Sequence, residues 1–201
     1  CTRDAASGTV RVYRSNDSGA TWTRVSSLAA GPSARMPLWI DPRNPRHLLL
    51  AAGALYRSTD GGATWSDTGI MEGMTDIATD GDYARGSDRI YLVAQGLKVI
   101  DGIDTWRNRG LQTVGTGLAG IEAFNTVSVE RGTGNVLFAS ITGTNDYYDF
   151  STRLWSRRCG PSYAARIDPS DTATYYCRVL PDTVVRFRRP QTVPDGIGAV
   201  I

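Results

Sequence analysis

Short apolar runs separated by turn residues recur along the chain of 201 residues. In its clearest stretch, four runs occupy residues 36–40, 47–51, 54–58 and 64–67, with Asp-Pro, Gly and Asp-Gly-Gly segments between them. Aspartate, glycine and proline are turn residues, and apolar runs of this length between turns are typical of β-strands. No run approaches the roughly 18 apolar residues of a membrane-spanning helix. The pattern therefore predicts an all-β protein without a transmembrane segment.

An eleven-residue segment occurs twice in the chain. Residues 12–22, VYRSNDSGATW, recur as residues 55–65, LYRSTDGGATW, with eight positions identical and an offset of 43 residues. A third, eroded copy ends at Trp106, 41 residues further on. A second marker, Asp-Pro after a short apolar run, recurs at Asp41 and Asp168, which are 127 residues apart, or three units. Two markers that share a period of about 42 residues indicate an internal repeat.

Each repeat unit is predicted to hold four short strands. Weaker copies of the second marker, at residues 77–80 and 127–130, fall close to where the period expects them. Four-stranded units of about 40–45 residues are the signature of β-propeller blades, whereas strands without the period would also fit a sandwich. We therefore predict one β-propeller domain or fragment over residues 1–201, with four to five blades and either a closed or an incomplete ring. The first unit is predicted to begin with its third strand, near Val10. The predicted blade units are approximately 1–30, 31–73, 74–115, 116–160 and 161–201.

The repeated segment resembles the Asp-box, or BNR repeat, whose pattern is Ser-x-Asp-x-Gly-x-Thr-Trp. Propellers with this motif occur in sialidases, xyloglucanase-type glycoside hydrolases, sortilin-like receptors and photosystem assembly factors. The resemblance implies a propeller fold with the motif away from any active site, and it implies no single activity because those families differ in function. The residues that carry the motif are Ser15, Asp17, Gly19, Thr21, Trp22, Ser58, Asp60, Gly62, Thr64 and Trp65, and, in the eroded copy, Asp101, Thr105 and Trp106.

The residue types of the motif suit a structural hairpin. Asp17 and Asp60 can accept hydrogen bonds from the amides of their own turns. Gly19 and Gly62 can adopt a positive φ, which is costly for other residues. The tryptophan that follows can begin the next strand and fill space between sheets. We therefore predict that the aspartates hold the hairpins and neither catalyse nor bind calcium.

No catalytic set can be placed from the sequence. A sialidase-like site would need an arginine triad, a Tyr/Glu pair and an acid/base aspartate, but no flanking signature assigns any of them. The only histidine, His47, begins an apolar strand, which favours a structural role. Residues 115–120 match GxGxxG, but that pattern is weak outside a βαβ unit. We predict no cofactor and no metal site.

The net charge of +2 gives no bulk field that would demand a nucleic-acid partner. Residues 184–189, VVRFRR, are basic and partly alternating. They fit an edge strand whose charges discourage aggregation, or a surface that docks an anionic partner. The aromatic stretch at residues 147–155 fits packing within a blade, or stacking on sugar rings.

The cysteines bear on the compartment. Cys159 and Cys177 are 18 residues apart and could form a disulfide, as extracellular proteins do, or remain buried thiols. Cys1 could be the lipid-modified first residue of a bacterial lipoprotein, or only the place where a fragment starts. We expect an extracellular or cell-surface location, with a periplasmic, lipid-anchored form as the alternative.

These observations favour a secreted or surface propeller that binds a protein or glycan partner without catalysis. The alternative is part of a glycoside hydrolase, sialidase-like or xyloglucanase-like. A weaker alternative is an assembly factor of a membrane complex. Neither the partner nor a catalytic residue can be named from the sequence.

Overall fold

The computed structural model describes most of the chain, and every regular element in the described part is a β-strand. The strands form five antiparallel sheets, each built from consecutive strands, which confirms the predicted all-β fold. The described part includes no helix with the length and apolarity needed to cross a bilayer. The described residues are 1–4, 6–29, 35–70, 73–79, 89–94, 96–101, 112–114, 124–130, 136–140, 145–149, 154–159, 162–168, 170–171, 174–179 and 183–188.

Residues Cys1–Met74 form one compact unit with two sheets. The first sheet has three strands, which are β1 (Thr2–Arg3), β2 (Thr9–Arg14) and β3 (Thr23–Ala29). The second sheet has four strands, which are β4 (Leu38–Ile40), β5 (Leu48–Ala51), β6 (Leu55–Ser58) and β7 (Ser66–Asp67).

Residues Thr75–Ile201 form the other unit, with three sheets. The third sheet contains β8 (Asp76–Thr79), β9 (Arg89–Ala94), β10 (Gly96–Asp101) and β11 (Gln112–Val114). The fourth contains β12 (Phe124–Val129), β13 (Val136–Ser140), β14 (Asn145–Asp149) and β15 (Leu154–Cys159). The fifth contains β16 (Ser162–Ile167), β17 (Thr174–Val179) and β18 (Thr183–Arg188).

The core of the first unit lies between its two sheets. Val10 and Val12 of β2 are buried against Leu50 and Ala52 of the second sheet. Valines at alternate positions of β2 point to one face, because side chains alternate along a strand. The two sheets therefore bury each other's inner faces.

The second unit contains a strand that is buried on both faces. Consecutive residues of β9, from Ile90 to Val93, are all 0% exposed. The core of the fifth sheet is separate and includes Cys177 and the rings of Tyr175 and Phe187, which stack with centroids 5.2 Å apart. In this unit a continuous apolar run therefore marks a strand that is buried on both faces, and an alternating run marks a strand that is buried on one face.

The structure differs from the sequence prediction at the start of the first sheet. We predicted that this sheet begins with its third strand, near Val10, but β1 precedes it and pairs with β2 through Thr2↔Arg11 and Arg3↔Val10. A strand of two polar residues carries no alternation of apolar and polar positions. The pattern could not reveal it, because it is recognisable only by its backbone pairing.

Candidate functional site

Two hairpins with the repeated motif have the same internal hydrogen bonds. In the first hairpin, residues 15–22, the Ser15 hydroxyl donates to Asp17 Oδ1 at 2.7 Å and accepts the Gly19 amide at 2.7 Å. Asp17 also accepts the amide of Thr21 at 2.8 Å and its hydroxyl at 2.5 Å. The carboxylate thus ties both ends of the turn together.

The second hairpin, residues 58–65, repeats these contacts. The Ser58 hydroxyl donates to Asp60 Oδ1 at 2.8 Å and accepts the Gly62 amide at 2.9 Å, and Asp60 accepts both the amide and the hydroxyl of Thr64. Gly62 has φ +88°, and its counterpart Gly19 has φ +91°. Each hairpin therefore relies on one carboxylate and on a glycine in the left-handed region.

The same bonds lower the pKa of each aspartate. For Asp17, the Thr21 hydroxyl and amide, with the Ser15 hydroxyl, lower the pKa from the ordinary 3.8 to about 2. For Asp60, the equivalent bonds, led by that from the Thr64 hydroxyl, hold the pKa well below its ordinary value. Donors that favour the charged form are the physical cause in both cases.

The two hairpins differ in what surrounds them. The Trp65 indole N–H donates to Ser26 Oγ of β3 at 3.0 Å, and the Ser26 hydroxyl donates to the Gly62 carbonyl at 2.6 Å. Trp22, at the equivalent position of the first hairpin, is 64% exposed. Only the second hairpin therefore packs against another sheet of its unit. Trp22 and Trp65 each come directly before the last strand of their sheet.

The eroded third copy lies largely outside the described residues. Asp101 is the last residue of β10, and Thr105 and Trp106 fall outside the described part. The hairpin of that copy therefore stays a prediction.

The second sequence marker is also a repeated hairpin. Asp41 and Asp168 each follow the first strand of a sheet, and each accepts the amide of the residue two positions on at 2.8 Å. The Asp41 amide donates to the carbonyl of His47, and the Asp168 amide to that of Thr174. His47 Nδ1 lies 3.8 Å from the Asp41 carboxylate. The histidine thus belongs to this hairpin.

A cavity of about 470 Å³ opens where the first strands of three consecutive sheets, β8, β12 and β16, come together. Each of these strands is at the edge of its own sheet. The cavity is lined by Asp76, Ile77, Ala78, Thr79, Val127, Ser128, Val129, Arg166, Ile167 and Asp168.

Side chains of neighbouring strands satisfy the backbone of these edges. The Asp76 carboxylate accepts the Val127 amide at 3.0 Å, and the Ser128 hydroxyl accepts the Ile167 amide at 2.9 Å. Arg166 Nη1 donates to the Val127 carbonyl at 3.3 Å, and Nη2 lies 3.7 Å from Asp76. The guanidinium is thereby held at the cavity, with the Arg166 side chain still 55% exposed.

The sequence analysis did not single out this cavity. Its lining coincides with copies of the second marker, at residues 77–80, 127–130 and 166–169, which we had used only to measure the period. Equivalent strands of successive repeats meet at one place, so the marker could have located the cavity. The chemistry of the cavity depends on three polar residues, Asp76, Ser128 and Arg166. These residues differ between repeats, so a comparison that looks for identical residues in successive repeats does not find them.

Of the two cysteines whose side chains the structure describes, one is in a disulfide and one is free. Cys177, in β17, is disulfide-bonded, whereas Cys1 is free and exposed. The side chain of Cys159 lies outside the described part, so its predicted pairing with Cys177 stays a prediction.

No protein-family model matches the chain. No curated protein matches it either. Solved structures, in contrast, do match the chain. A structure described as YCF48 bound to D1 peptide aligns with a TM-score of 0.61 and 10% identity, over 88% of this chain and 57% of the other.

Two further structures show the same likeness. Raptor from Chaetomium thermophilum aligns with a TM-score of 0.62 and 15% identity, over 96% of this chain and 18% of the other. An auxiliary nutrient binding protein from Bacteroides thetaiotaomicron aligns with a TM-score of 0.52 and 16% identity, over 74% of this chain and 37% of the other. This chain thus spans little more than half of the first and far less of the others. At such identities the likeness shows the fold alone, and that fold is a β-propeller built from four-stranded blades.

The lowered pKa values predict how the hairpins respond to acid. Because the folded-state pKa lies below the unfolded value, the contribution of each aspartate is complete above about pH 4 and is lost as the pH falls through its folded-state pKa, which is about 2 for Asp17 and lower for Asp60. Asp60→Asn should lower the thermal midpoint at pH 6, and the gap from the wild type should narrow as the pH falls from about 4 to about 2. Thermal melts of wild type, Asp17→Asn and Asp60→Asn across this range measure the gap. A gap that stays constant would contradict the role of the ionised carboxylates.

Proposed function

We propose that this chain is a non-catalytic binding module of the Asp-box propeller type, and that its cavity takes an extended segment of a protein partner. The observation that carries the proposal is the cavity itself, where three edge strands present a fixed arginine among apolar side chains. Its volume lies within the range of about 300–1,000 Å³ that is usual for ligand sites.

The lining suits a peptide. The apolar residues Ile77, Val129 and Ile167 can contact the side chains of an extended segment. The Arg166 guanidinium, held by two carbonyls and by Asp76, can donate to carbonyl or carboxylate oxygens. Because the arginine is already ordered, binding would cost little of its side-chain entropy.

The carboxylates of the cavity favour binding over glycoside hydrolysis. A general acid needs a raised pKa. The Ser170 hydroxyl and amide instead lower the pKa of Asp168. Asp76 accepts the Val127 amide and is paired with Arg166. Both carboxylates therefore serve as acceptors within the fold, which favours binding over hydrolysis at this cavity.

The structural neighbours are compatible with this role. The description of one names a bound peptide, and that of another names nutrient binding. Those properties belong to those proteins, and their likeness to this chain is one of fold. The peptide bound by the first of these neighbours supports a protein partner as the first class of ligand to test, ahead of a glycan.

Peptides selected from a random library on the immobilised protein should depend on Arg166. Arg166→Gln should weaken their binding by about tenfold or more, since a hydrogen bond to a charged group contributes about 1.5–3 kcal/mol. Fluorescence anisotropy with the selected peptides measures the change. Arg24→Gln is the matched control, because Arg24 is an exposed strand arginine of the first sheet, and it should leave binding unchanged.

Three results would contradict the proposal. One is that selected peptides bind Arg166→Gln as tightly as wild type. Another is that glycans compete for the cavity while peptides do not. The third is turnover of a fluorogenic glycoside panel that Asp76→Asn or Asp168→Asn abolishes.

We further propose an extracellular, cell-surface or periplasmic location. The disulfide at Cys177 supports this, because disulfides persist in oxidising compartments. Peptide mapping of protein isolated without reductant should recover Cys177 linked to Cys159, with only Cys1 alkylated. Recovery of all three cysteines as alkylated thiols would contradict both the pairing and the location.

A further inference from the structure

The fifth sheet has one apolar face and one basic face. In β18 exposed and buried residues alternate, with Val185 and Phe187 buried and Val184, Arg186 and Arg188 exposed. Antiparallel partners project their side chains to the same side, and the pairs Tyr176↔Arg186 and Arg178↔Val184 therefore share the outer side. We call this surface the arginine face, and its residues are Tyr176, Arg178, Val184, Arg186 and Arg188.

Two arginines of this face, Arg186 and Arg188, are poorly compensated within the described part of the chain. Arg186 forms no ion pair with any described residue. Arg188 lies 3.9 Å from Asp171, and its side chain is 75% exposed, so that pair is weak. The whole chain carries a net charge of only +2, so the cluster is a local feature and does not follow from composition.

The composition of this face fits a protein better than a polyanion. Val184 is 51% exposed and lies diagonally across from the partly buried Tyr176 on the neighbouring strand. Tyrosine and arginine around an apolar residue are typical of protein interfaces. A surface that only attracted phosphate or sulfate would have no use for the exposed valine. Arginine also pairs with carboxylates in a bidentate geometry that lysine cannot form.

The spacing of the arginines identifies the form of the partner. Arg186 and Arg188 are two positions apart on one strand, which places their Cα atoms about 7 Å apart. Alternate residues of another extended chain have the same spacing. An acidic side chain at every second position of such a chain can therefore meet both arginines.

We propose that the arginine face docks an extended acidic segment of a partner protein, with alternate carboxylates on Arg186 and Arg188 and an uncharged residue against Val184. This surface adjoins the cavity, because Tyr176 pairs with Arg166 on the neighbouring strand and the two side chains therefore share one side of the sheet. It does not require the cavity to be occupied, so the two proposals can fail separately.

A fluorescein-labelled peptide of alternating glutamate and threonine is the probe, and the same peptide with glutamine for glutamate is its control. The glutamate peptide should bind the wild-type chain at low salt and weaken as salt rises, whereas the glutamine peptide should not bind. Arg186→Gln and Arg188→Gln should each weaken binding by about tenfold. Arg24→Gln should change it less than about twofold. Melting temperatures check that the variants fold. Because the substituted side chains are exposed, the melting temperatures should equal that of the wild type.

Binding of the glutamate peptide that depends on Arg186 and Arg188 alone supports the proposal. Three outcomes overturn it. The peptide fails to bind wild type; Arg24→Gln weakens binding as much as Arg186→Gln; or a sulfated oligosaccharide or anionic vesicles bind through Arg186 while the peptide does not.

Discussion

The Ser26 hydroxyl bridges the first two sheets of this protein, whose inner faces also pack against each other. Ser26 Oγ donates to the Gly62 carbonyl and accepts the Trp65 indole N–H. A small antiparallel sheet has two faces and cannot bury an apolar one alone, so it depends on its neighbour. The hairpin between β6 and β7 contributes to the contact between the second sheet and the first. Asp60 fixes the turn, and the turn then aims the glycine carbonyl and the indole at Ser26.

The same constraint produces the candidate site. The first strand of each sheet in the second unit is an edge, and an edge strand leaves amides and carbonyls without strand partners. Here Asp76, Ser128 and Arg166 supply those partners across neighbouring sheets. Polar side chains are thereby concentrated where three edges meet. A binding cavity with a fixed guanidinium is a direct consequence of how the edges are satisfied.

Much of the fold could be predicted from the sequence, because its signals are local. Strands were predicted at 36–40, 47–51, 54–58 and 64–67, and the structure begins each of them one or two residues later. β1 was missed because two polar residues carry no pattern. The cavity was missed because its chemistry depends on residues that differ between repeats and meet only in the folded chain. The basic alternation of β18 was visible, but the sequence could not show that Arg178 of the neighbouring strand faces the same side as Arg186.

The most direct test of this account compares alanine at two equivalent glycines. Both Gly19 and Gly62 have a positive φ, so each substitution carries a backbone cost of about 1–2 kcal/mol. A Cβ at Gly62 would lie 3.3 Å from Leu48 and 3.5 Å from Trp65 of its own sheet and 3.8 Å from Val12 of the first sheet, whereas one at Gly19 would approach only Trp22, at 3.9 Å.

If the hairpin of the second sheet holds the two sheets together, Gly62→Ala should lower the free energy of urea unfolding by ~1–3 kcal/mol more than Gly19→Ala does. Trp65 should also become more exposed. Equal losses of stability for the two variants would show that the contact between sheets contributes nothing, and would contradict the account.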